Sequence, residues 1–227
     1  MNIFKAVRKS LGKTTGKLLF AAVLLISVCA FSSCTSEIDL ELMQNGEVAV
    51  KFNGVSGVAF ETLIKSAMGL SDAENTSIIF DTKEISYEMA KNGFENVKAT
   101  SNKGTDLAIT MEDKTHKSTL FTSGVAAVLN NKLKATLSAK NLKSFYSKAD
   151  DQTVQFLDIL LSPVFNDEVM SEEEYLEVIS SFYGEEVAEE IRASNFRVTL
   201  RNPDGSKSVQ NISISKLLTL NEIIVVQ

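Results

Sequence analysis

Both cysteines of this 227-residue chain, Cys29 and Cys34, fall within its first 34 residues. No disulfide can therefore form inside residues 35–227, and whatever folds there must be held by an apolar core alone. With 44% hydrophobic residues the chain has the material for one. At this length it can be built as a single domain or as two small lobes.

The segment that carries the cysteines is patterned differently from the rest. Residues 1–17 hold Lys5, Arg8, Lys9, Lys13 and Lys17 and no acid. Leu18 to Phe31 is apolar except for Ser27, and Ser32-Ser33-Cys34 follow. A basic start, a short apolar run and small residues before a cut site describe a secretory signal peptide. The apolar run is shorter than the ~20 residues a membrane-spanning helix needs. The alternatives are an ordinary signal peptide or an uncleaved anchor.

Phe31-Ser-Ser-Cys34 resembles the lipobox of bacterial lipoproteins, with Phe31 where that family usually has Leu. The resemblance implies diacylglycerol on the Cys34 sulfur, cleavage that removes residues 1–33 as a signal peptide, and acylation, as by palmitate, of the new amino group. Val28 is a poor small residue ahead of Cys29, which leaves Cys34 as the lipidation site. Residues 34–46 then read as the lipidated Cys and an acidic tether, favoured over a first edge strand, in which Glu37, Asp39 and Glu41 alternate with Ile38, Leu40 and Leu42. That acidic stretch resembles the surface-export signal of Bacteroidota lipoproteins. Thr35, rather than Asp, after the Cys resembles the outer-membrane sorting rule of other Gram-negative lipoproteins. Together these imply a lipid-anchored protein of the outer membrane, the surface face slightly favoured over the periplasmic one.

Charge narrows the partners. The precursor carries −6; loss of the five leader cations leaves 23 − 5 = 18 basic against 29 acidic residues, or −11. Phosphate binding needs clustered Lys and Arg, so a nucleic-acid partner is not expected. Nor is electrostatic docking on anionic lipid; attachment falls to the acyl chains, two or more of which suffice for stable anchoring.

Along residues 47–227 the patterning predicts an α+β domain, helices packed on a largely antiparallel sheet, with lobes at 47–115 and 116–227 as a further expectation. Residues 47–52 alternate as a strand. Gly54-Val-Ser-Gly57 between a strand and a helical pattern lacks both nucleotide-binding motifs and reads as a turn. A helix over residues 60–68 and a strand over 77–80 follow. Asp81 and Glu84 form a capping-box pattern ahead of a helix that Gly93 ends. Residues 94–100 and 105–111 form a hairpin. Residues 120–129 read as a helix, 132–139 as a strand with one wet face, and Phe145-Tyr146 as core residues in a polar linker. A helix from Asp151 closes before Pro163. Ser171 and Glu174 make a second capping box, with helices to Gly184 and on to Arg192. A hairpin turns on Asn202-Pro-Asp-Gly205, and 217–226 reads as a buried final strand.

Few constellations carry chemistry. His116 is the one histidine and would have neither a second imidazole nor a thiol to complete a zinc site; it reads as a solvated loop residue rather than a general base. Asp167, Glu168, Glu172, Glu173, Glu174, Glu177, Glu185, Glu186, Glu189 and Glu190 crowd one stretch. Clustered oxygens suit Ca²⁺ and paired carboxylates suit glycoside hydrolysis. Yet these acids lack the EF-hand order, and several lie in first helical turns, where the helix dipole favours them; a solvated acidic face is the expectation. Nucleophile-elbow and Ser-x-x-Lys enzyme signatures are incomplete or absent, and without Trp a sugar-stacking platform is weakened. No metal, cofactor or catalytic residue is assigned. The first expectation is a non-enzymatic binding or accessory lipoprotein of the envelope. The second is a carrier of a lipid or other apolar ligand, and a hydrolase using the acidic stretch comes last.

Overall fold

The computed structural model describes residues 35–55, 57–59, 81–102, 106–147 and 160–227. Cys34, the helix expected at 60–68, the strand at 77–80 and the helix from Asp151 lie outside the described residues.

The fold begins at Thr35, and its first element corrects an expectation. Residues expected in the acidic tether form β1, Thr35–Leu42. The reason is the same alternation that suggested a tether: Leu40 and Leu42 are each 2% exposed and Ser36 is fully buried, while Glu37, Asp39 and Glu41 point the other way. Burying two leucines stabilises by about 3–6 kcal/mol, which outweighs the charge density of the opposite face. β2, Val48–Val55, returns antiparallel to β1. After helix α1, Thr82–Lys91, come β3, Glu95–Thr100, and β4, Asp106–Asp113, an antiparallel pair that β4 joins to β2.

A short helix α2, Thr119–Thr122, leads into β5, Ala126–Leu129, and β6, Lys132–Leu137. Here the expected helix over 120–129 breaks. Gly124 at φ +81° ends it, and Asn130 and Asn131, both at positive φ, form the tight turn of a hairpin. Helix α3, Ala139–Tyr146, is capped by the Ser138 side chain. Short α4, Ser162–Asn166, is followed by α5, Glu172–Tyr183, and α6, Glu185–Ala193. β7, Asn195–Arg201, and β8, Lys207–Ser213, form the expected hairpin. Helix α7, Ile214–Thr219, then takes the first three residues of what read as a final strand, of which only β9, Ile224–Val226, is extended. Residues 214, 217 and 218 are buried at helical spacing, but they are too few to set a period against the apolar run that follows them.

The strands make a six-stranded sheet ordered β3-β4-β2-β1-β7-β8 and a three-stranded sheet β5-β6-β9. Only β1 and β7 run parallel; the other neighbours are antiparallel. This is the α+β architecture the patterning predicts. The division expected at residue 115 runs through one sheet, since β1 joins β2–β4 to β7–β8, and one core cluster takes residues from both sides of it. Phe52, Leu107, Ile109, Val198 and Leu200 face inward from the large sheet, against Ile85, Met89, Leu133, Tyr175 and Ile179 of that core.

The other face of the large sheet carries Lys51, Asn53, Thr110, Arg201, Lys207 and Asn211, all exposed, around the acids of β1. Cross-strand pairing neutralises them locally. Arg201 holds Asp39 in a bidentate pair, Nε and Nη2 donating at 2.8–3.1 Å. Asn53 donates to Glu37 at 3.0 Å.

Candidate functional site

Cys34, the lipidation residue implied by the leader, lies outside the described residues. Its place in the chain is nonetheless constrained, because the next residue, Thr35, is already in β1 and in register with Asn195 of β7. Among the described residues no helix is long and apolar enough to cross a membrane.

The acidic stretch disperses once folded. Ser171 and Glu174 form the expected capping box at the start of α5: Ser171 Oγ accepts from the Glu174 amide and Glu174 Oε2 accepts from the Ser171 amide. The Ser171 backbone and hydroxyl bonds hold the Glu174 carboxyl below its ordinary range. Glu172 turns inward and accepts from the hydroxyls of Ser213 and Ser215. Glu173 and Glu189 share Arg192, Asp167 pairs with Lys143, Glu185 accepts from Ser180, and Glu190 accepts from the Ala59 amide at 2.9 Å. These carboxylates serve different partners on different faces. No group of three or more metal-ligating side chains is found among the described residues.

His116 departs from its expectation. It is half-buried rather than solvated, stacks on Phe121 with ring centroids 4.6 Å apart, and places Nε2 2.9 Å from the Gly46 carbonyl oxygen. It thereby pins the β4–α2 loop to the β1–β2 turn. The same loop is organised by Asp113, which is fully buried and accepts from the amides of Thr115, Lys117 and Ser118 at 3.0, 3.2 and 2.9 Å. Burial opposes its charge, but the Ser118 hydroxyl and those amides outweigh that and hold the carboxyl below its ordinary range. Ser118 Oγ itself makes no well-formed hydrogen bond, so the Ser118 amide is the stronger of its two contacts.

The carrier reading implies a cavity between sheet and helices, but the sequence names none of the residues that line one. A void of about 90 Å³ lies between the large sheet and the β5–β6 hairpin, with α3 alongside. Ile38, Leu40 and Val198 line it from the sheet, Ala135 and Leu137 from β6, and Leu142, Phe145 and Tyr146 from α3. Its wall is almost wholly apolar, so it has little to hold a water. Phe145 and Tyr146, edge-on to each other at 5.0 Å, pack here as core residues. Their helix, read from sequence as a linker, could have been found from Ser138 as an N-cap ahead of Leu142 and Tyr146 at i, i+4 spacing.

Comparison with protein-family models, with curated proteins and with solved structures returns no match.

Proposed function

We propose that this chain is a non-enzymatic lipoprotein of the cell envelope. It is held on the outer membrane by lipid on Cys34, and its α+β domain acts as a binding or accessory part of a larger assembly. The observation that carries this reading is the junction at residue 34. A lipobox-like Phe31-Ser-Ser-Cys34 ends one residue before the first strand of the sheet, so cleavage before Cys34 leaves every described element intact. The acids at 37, 39 and 41 are folded into β1, so export machinery that read them would read the unfolded chain. The face of the large sheet that carries Lys51, Asn53, Thr110, Arg201, Lys207 and Asn211 is polar and exposed, as a surface for a protein partner would be.

The test is metabolic acyl labelling. Wild type and Cys29→Ala should incorporate labelled fatty acid and fractionate with the outer membrane; Cys34→Ala should lose both. Labelling that survives Cys34→Ala would sink the assignment.

The cavity favours a second reading, a carrier of a small apolar ligand. At about 90 Å³ it is smaller than the ~150 Å³ apolar cavity that accepts benzene in a well-studied engineered core, so a lipid chain would need it to widen. Saturable displacement of an apolar fluorescent dye by a fatty acid would favour this reading; dye that never binds would remove it.

A further inference from the structure

We propose that the end of the large sheet where β1 begins lies directly against the lipid bilayer, with no tether between anchor and fold. The inference rests on lipidation of Cys34 and adds to it an orientation.

One residue reaches at most ~3.6 Å along the chain, so an anchor at Cys34 sits one such step from Thr35. Thr35 is not a loose end. It pairs with Asn195, and β1 is held on both sides, by β2 through residues 37–42 and by β7 through residues 35–41. Freeing several residues of β1 as a tether would break both ladders and expose Ser36 and then Leu40, buried to 0% and 2% exposure. The acyl chains must therefore enter the bilayer beside the fold.

The register identifies the surface that meets the lipid. Thr35 lies at the same end of the sheet as Val55 of β2, Asp106 of β4, Asn195 of β7 and Ser213 of β8. Val55 is 42% exposed, and Val58, just beyond it, is 81% exposed. These give that end an apolar contact of its own. The opposite end, with the Met43–Gly46 turn and the Asn202–Ser206 turn, faces away. The net charge of −11 gives no attraction to anionic lipid, so covalent geometry sets this orientation.

The sequence offers a clean test, because residues 35–227 contain no cysteine to compete for a thiol-reactive label. The full chain, matured in its own envelope, carries a single label at Val58→Cys or at the exposed Gln44→Cys. It is then reconstituted in phosphatidylcholine vesicles holding a lipid with a quencher on its headgroup. Eight residues of β1 separate the two ends by about 26 Å. Quenching at residue 58 should therefore exceed that at 44 by about twofold or more. A 12-residue Gly-Ser insertion between Cys34 and Thr35, with about 20 Å of root-mean-square reach, should erase most of the difference.

Equal quenching at 58 and 44 in acylated protein without the insertion would overturn the orientation and leave lipidation standing. Protection of residue 58 from an aqueous quencher that persists in detergent would assign that end to a second copy and also overturn it. A chain that carries no acyl label and does not float with vesicles would instead remove the lipidation on which the inference rests.

Discussion

Asp113 is the residue on which the β4–α2 loop depends. Its carboxylate answers three amides that no other described group satisfies, so Asp113→Ala leaves the buried Ser118 amide and two part-buried ones unpaired and should cost about 1–3 kcal/mol in urea unfolding. Its titration has a definite sign. A carboxyl held below its ordinary value stabilises the fold above the unfolded pKa, near 3.9, and that contribution is lost as pH falls through the folded value. Asp204 acts the same way: bonds from the Ser206 hydroxyl and amide and from Lys132 depress it to about 2. Wild type should therefore lose stability between about pH 4 and pH 2. Asp113→Asn and Asp204→Asn should each flatten that slope in pH-dependent melts. Gly93 closes on the same loop. At φ +91° an added Cβ would lie 2.9 Å from Ser118 Cα, which is backbone and cannot step aside; at Gly205, φ +82°, a Cβ would meet nothing. Gly205→Ala should cost about 1 kcal/mol for backbone conformation, and Gly93→Ala about 1–3 kcal/mol more for the clash. A similar cost at both positions would mean the loop moves with the substitution.

At the level of elements, α5 was the most legible, because its start is written in local chemistry. Ser171→Ala removes the cap and one half of the reciprocal pair, and should lower stability by about 1 kcal/mol, measured against Ser181→Ala on the exposed side of the same helix. The two hairpins β3–β4 and β7–β8 were equally legible, each marked by alternation and a polar turn. The failures share a cause. In β5 the apolar residues fit helix and strand alike, and the deciding signal was a pair of asparagines in the left-handed region rather than the run itself. In α7 the helix-spaced Ile214, Leu217 and Leu218 span too few residues to set a period against the apolar run that follows them. In β1 the alternation was visible, but its charge suggested solvent; that Arg201 and Asn53 would meet those charges depends on strands 162 and 16 residues distant. The lining of the cavity and the Phe121 stack under His116 were illegible for the same reason: both are made by residues that only the tertiary fold brings together.

For the molecule as a whole, stability rests on packing, and two bulk measurements probe it. With no cysteine in residues 35–227, a protein spanning them should melt at the same temperature with and without reductant; a clear shift would reveal stabilisation by something other than the chain. Because the acids of 167–190 face separate partners, millimolar Ca²⁺ should raise the melting temperature no more than NaCl of equal ionic strength. A saturable Ca²⁺-specific rise, reaching ~2.7 kcal/mol at 100 times the dissociation constant and removed by Glu185→Gln with Glu189→Gln, would overturn this.

The place of β1 also sets a timetable. It is the first strand in sequence, yet one of its edges is filled only by β7, about 150 residues later. A chain made from its N-terminus at ~5–20 residues per second delivers that partner some 8–30 s after β1 itself. For that interval Ile38, Leu40 and Leu42 lie on a strand with one edge unsatisfied, the kind of template on which chains cross-pair and aggregate. β1 is thus open to cross-pairing until the β7–β8 hairpin joins it.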